Sequence, residues 1–176
     1  MWYYNPEHPL RRLFAGVTEN TFLTTLGVGD PKIVDYISIL LSRFIHTDSI
    51  HRLKDAQGKR LEEVADMVME AESLPAEGNT CREYHRHIGD FALFWTGLFP
   101  EALKRQRPDV NKDFFVNYTE QGKRSYYIAS TYEDDPYTEE APVLRRLSVE
   151  FELCAYGLNH VRKELDRTSP GSDLLG

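Results

Sequence analysis

The sequence is short of cysteine, of positive charge and of long apolar runs. Its two cysteines, Cys81 and Cys154, stand far apart without C-x-x-C spacing, which excludes a disulfide framework and a cysteine-rich zinc site. They are expected to be reduced, buried thiols of a cytoplasmic protein. No stretch reaches the roughly 20 consecutive apolar residues a membrane-spanning helix needs. The opening MWYYNPEHPL lacks a basic segment followed by an apolar one, so no secretory signal is expected. The formal net charge of −7 argues against a nucleic-acid partner and against an anionic membrane surface. The one local basic cluster, Lys104, Arg105, Arg107 and Lys112, is diluted by Glu101, Asp109 and Asp113.

Chemical signatures are scarce too. There is no P-loop and no nucleophile elbow. Gly27-Val28-Gly29 runs into Asp30-Pro31 with no strand before it, so it is not a dinucleotide fingerprint. A di-iron bundle site would need paired Glu-x-x-His motifs, and none is present. The histidines are scattered at positions 8, 46, 51, 85, 87 and 160. Asp48-x-x-His51 has a metal-like spacing but reads as a cap beside a surface histidine. No metal is expected, and no motif requires a cofactor.

What is present is the material of a folded helical domain. The chain has 176 residues, 41% apolar and 28% charged, enough for one domain with a real core. The most apolar run is TCREYHRHIGDFALFWTGLFP, 80–100. Thr80 and Glu83 have the spacing of a capping box. Tyr84, Ile88, Phe91, Ala92, Trp95 and Leu98 then fall on one helical stripe. From Phe91 onward the apolar residues wrap the whole helix, which predicts burial on every side. Pro100 should end it or start a new turn, because the residue before a proline is pushed out of helical geometry, and Glu101–Arg105 is read as a further turn.

The remaining elements follow in order. Residues 1–17 read as an aromatic arm carrying Trp2, Tyr3 and Tyr4, with a helical turn or two at 9–14. A short helix near Thr21–Leu26 should stop at Gly27 and Gly29. Asp30-Pro31 is a cap followed by proline at the first helical position, and a broad apolar stripe from Ile33 to Ile45 predicts a helix over 31–46. Leu61, Val64, Ala65 and Val68 predict another over 59–73. SLPAEGN, 73–79, is a loop. A helix over 111–132 places Phe115, Tyr118, Gly122, Tyr126 and Ala129 on one face. EDDPYTEE, 133–140, is an acidic connector. Leu144, Leu147, Phe151, Cys154, Leu158, Val161 and Leu165 repeat at 3-4 spacing over about 32 Å, the pattern of one long packing helix over 140–166 or of a seam between subunits. Residues 168–176 read as a frayed tail.

The candidate site sits on the central run. Gly89 and Gly97 lie inside a helix, where glycine costs about 1 kcal/mol relative to alanine and lets a backbone, ring or ligand approach closely. Asp90 lies at the edge of the apolar zone, and a buried carboxylate needs a partner. Arg86 at i−4 and His87 at i−3 are within reach. Asp90 is therefore read first as a structural anchor, paired with an arginine or capping a neighbouring helix, and second as one wall of a pocket with His87, Gly89, Arg86 and Tyr126. His85 and His87 point about 200° apart on a helix, so they cannot share a metal; one is expected to face solvent and the other a neighbour. Glycines 89, 97, 122 and 157 either permit tight helix contact, the default, or leave a slot for a flat ligand.

Three segments also carry a resemblance. DYISILLSRFIHTD (35–48), HRHIGDFALFWTGLFPEAL (85–103) with its GDxxLxxxGxxPE pattern, and the tyrosine–glycine helix before a long amphipathic one resemble a family of bacterial hypothetical proteins of about this size with no assigned activity. The resemblance implies a single helical domain over most of 30–165 and transfers no catalytic residue. Together these readings predict an all-α bundle of five or six helices over 18–167, with 80–99 at its centre. The first functional expectation is a non-enzymatic cytoplasmic binding or interaction protein, acting as a homo-oligomer or adaptor. The alternatives are a binder of a small apolar or tetrapyrrole ligand near Gly89 and Asp90, with His85 or His87 as its orienting group, and an enzyme using Asp90 and His87 as acid and base.

Overall fold

The computed structural model describes residues 4–44, 63–106 and 111–168. Within them the chain forms helices and no strand: α1 Pro9–Asn20, α2 Pro31–Phe44, α3 Val64–Ser73, α4 Asn79–Leu98, α5 Pro100–Gln106, α6 Asn111–Ser130, α7 Ala141–Val149 and α8 Phe151–Thr168. Eight helices among the described residues exceed the five or six expected. The expected cap-and-tail pairs at 48–51 and 168–176 fall wholly or almost wholly outside these residues.

Three local causes account for the extra helices. Pro9 occupies the first turn of α1, where a missing N–H costs nothing, so residues 9–17 of the expected arm are helical, while Trp2 and Tyr3 lie outside the described residues. That helix widens into a π-helical turn over Thr21–Thr25. It stops at Gly27, whose φ of 67° is reached cheaply only without a Cβ; the Val28 amide then donates to the Phe22 carbonyl at 2.8 Å. Pro100 both closes α4 and opens α5, and the expected turn becomes a helix of its own. The final apolar repeat is divided at Glu150, where φ −100° and ψ 25° depart from helical geometry. This bend lets α7 pack mainly on α6 while α8 packs mainly on α4.

The Asp30 cap forms as expected, its carboxylate accepting the Lys32 amide at 2.9 Å. The Thr80–Glu83 capping box does not. Helix α4 begins one residue earlier, at Asn79 behind Gly78, with no side-chain cap; Glu83 is engaged by Arg82 and Arg86 instead. Helix α4 is the centre of the bundle. It packs on α6 most extensively, then on α8 and α3, and it touches α2. Ile88, Ala92, Leu93 and Leu98 are fully buried along it. Ile88, Leu93 and Leu98 each contribute about 1.5–3 kcal/mol of burial free energy. No helix among the described residues is long and apolar enough to cross a membrane.

Candidate functional site

Asp90 is the most deeply buried acid of α4, at 1% exposure. Its Oδ1 accepts the Tyr36 hydroxyl of α2 at 2.7 Å and the Tyr126 hydroxyl of α6 at 2.8 Å. Its Oδ2 accepts Nη2 of Arg43, again from α2. One carboxylate thus ties three helices together, and both of its oxygens are engaged. Burial by itself pushes the Asp90 carboxyl up, but Arg43, then Arg86, then the two hydroxyls outweigh it and hold it below the usual range. Burial first, and Asp90 second, push both tyrosines well above their ordinary value, so they stay protonated and donate. Hydrogen bonds to a charged group contribute about 1.5–3 kcal/mol each, which offsets a desolvation penalty of several kcal/mol per ion.

Gly89 makes this arrangement possible. A Cβ at position 89 would stand 2.5 Å from Cδ1 of Tyr126, closer than packed atoms tolerate. Without it the Tyr126 ring lies on the α4 backbone and its hydroxyl reaches Asp90. The other interior glycines are covered in the same way: Gly97 by Leu158, Gly122 by Phe151 and Ala92, and Gly157 by Phe22 and Leu26. Of the two uses expected for these glycines, close helix contact is the one observed.

The two histidines lie on different faces of α4. His87 is buried with its ring 5.6 Å from that of Phe44 and 6.3 Å from that of Phe91. His85 is buried on the opposite side of α4, 3.2 Å from the Ser125 hydroxyl of α6. Burial, and then Arg124, lower its pKa. The expectation that one histidine would face solvent is therefore corrected: both are 4% exposed, because neighbours enclose α4 on both faces. Among the described residues no group of three or more His, Cys, Asp or Glu is placed to hold a metal ion.

On the α2 side of the knot lies a cavity of about 470 Å³, walled by α2, α4, the start of α7 and the acidic connector. Tyr36 and Arg43 belong to its wall, so Asp90 fixes that wall from behind. Arg82 and Arg86, one turn apart on α4, form the opposite side. The Glu140 carboxylate spans them, with Oε1 3.0 Å from Arg86 and Oε2 on Arg82. The Arg82 guanidinium lies 3.9 Å from the Tyr137 ring centroid, and Lys32 meets Glu139 at 3.1 Å. The Nε atoms of Arg43, Arg82 and Arg86 are buried without an acceptor among the described residues.

Of the five residues singled out from sequence, Asp90, Gly89 and Tyr126 meet in the knot. Arg86 lines the cavity, and His87 packs among aromatic rings. Sequence reasoning missed Tyr36, Arg43, Arg82, Tyr137 and Glu140. The available signals were weak: Tyr36 and Arg43 are seven residues apart and so share a helix face, and Arg82 and Arg86 are related by i,i+4 spacing. No family model, curated protein or solved structure matches this chain.

Proposed function

We propose that this chain is a cytoplasmic binding protein rather than a catalyst, and that the cavity beside the Asp90 knot is where it binds. The observation that carries the reading is that Asp90 fixes two wall residues, Tyr36 and Arg43, at once. A wall held from behind is preorganised, and preorganisation lowers the ordering cost of binding. The volume of about 470 Å³ falls within the roughly 300–1,000 Å³ of small-molecule sites. Asp90 itself is ill suited to acid–base work: it is enclosed and already accepts three donors, whereas a general base has to reach a substrate proton. The two free cysteines, both buried, suit a reducing compartment.

The test is native mass spectrometry of the full chain purified from its own host, with an ultraviolet–visible spectrum of the same sample. The reading predicts a non-covalent small-molecule adduct that is lost on mild activation. A clean apo mass, together with no change in melting temperature on adding the host's small-molecule extract, contradicts it. The same spectrum reports the oligomeric state.

A further inference from the structure

We infer that the cavity takes a small organic monocarboxylate, whose carboxylate replaces that of Glu140 across Arg82 and Arg86; the inference rests on the cavity being the binding site. The receptor is already visible because a carboxylate of the chain itself occupies it. Glu140 presents one oxygen to each guanidinium, so a single carboxylate bridges two arginines through charge-assisted contacts. The charge balance selects a monoanion. Arg82 and Arg86 carry two positive charges, and Glu83, which contacts both, removes one. Lifting Glu140 therefore leaves a single positive charge to neutralise.

The two sides of this contact differ in how they are held. Arg82 is 1% exposed and Arg86 projects from the same central helix, so the receptor is fixed. Glu140, about a third exposed, ends a connector whose further ties are the Tyr137 ring on Arg82 and the Lys32–Glu139 pair to α2, with side chains 64% and 88% exposed. Exposed pairs of this kind are worth little, so the internal carboxylate is the partner that can yield. Ile39, Val143 and the Tyr137 ring supply apolar wall for the rest of the molecule.

The probe is benzoate, titrated into the full-length chain and read from the arginine Nε–H resonances and by calorimetry. In the wild-type chain benzoate should shift the Arg82 and Arg86 signals. Glu140→Gln, which keeps the side-chain shape and removes the competing charge, should tighten benzoate binding by about tenfold or more, with tenfold equal to ~1.4 kcal/mol. Adding Arg86→Met to that variant should abolish the gain, and neutral benzamide should show none. An unchanged benzoate affinity in Glu140→Gln, or an equal gain for benzamide, overturns the inference. If Glu140→Gln does not fold, wild-type titration decides: saturating benzoate without movement at Arg82 and Arg86 also overturns it. Benzamide shifting the Ile39 and Val143 methyl signals where benzoate does not would reject the carboxylate yet keep the cavity as a binding site. Silence of both probes with a clean apo mass would reject both.

Discussion

Two arginine–carboxylate clusters lie on opposite sides of the same cavity, and they differ chiefly in depth. Around Asp90 the acid is 1% exposed, its arginine comes from another helix, and two tyrosine hydroxyls complete the shell. Around Arg82 and Arg86 the arginines are enclosed while their acids, Glu83 and Glu140, are about a third exposed. The chemistry of the two clusters is the same. Enclosure turns the first into a fixed joint of the bundle, and partial exposure leaves the second able to exchange partners.

Removing one member of each cluster should separate them most sharply. Asp90→Ala leaves the Arg43 charge buried without its counter-ion and should destabilise the chain by about 3–5 kcal/mol in urea unfolding. Gly89→Ala forces the Tyr126 ring off the α4 backbone and should cost about 1–3 kcal/mol, with Tyr126 fluorescence or exchange protection reporting the displaced ring. Glu140→Gln should cost about 1 kcal/mol or less, as expected for a pair with solvent access, since Glu83 still serves Arg82.

The pH dependence sharpens the same contrast between enclosed groups. Asp90 has a lowered folded pKa, so its contribution is complete above about pH 4 and is lost as pH falls through that lowered value. The folded pKa of His85 is also lowered, chiefly by burial. Its contribution is therefore complete above about pH 6.5 and is lost as pH falls from there through the folded value. Urea midpoints measured from pH 7.5 downward should decline first in the histidine window and again in the carboxylate window. His85→Gln should flatten the first decline and leave the second in place.

The sequence made the helical class, the central position of α4 and the importance of Asp90 legible, because each rests on local periodicity or on the cost of a buried charge. It also made the Asp30–Pro31 start readable, since both signals act within one turn. The break at Glu150 was not legible. The apolar repeat from Leu144 to Leu165 runs across it unbroken, and only packing against two different helices, α6 and α4, divides it. The partners of Asp90 were half hidden for a similar reason. Arg86 and His87 are near in sequence, but the donors that reach the carboxylate, Arg43 and Tyr36, are more than 40 residues away. Glu83 shows the opposite error: a good local capping pattern lost to the buried charge of Arg82.

The most direct test of the account is a double-mutant cycle at the knot: Asp90→Leu, Arg43→Met and the two combined, compared by urea denaturation. If Asp90 and Arg43 form a structural joint, each single variant should lose about 3–5 kcal/mol, and the double variant, which leaves no unpaired charge but two unmatched tyrosine hydroxyls, should lose clearly less than the sum of the two. Losses that simply add in the double variant would contradict the account, because the two residues would then be acting independently.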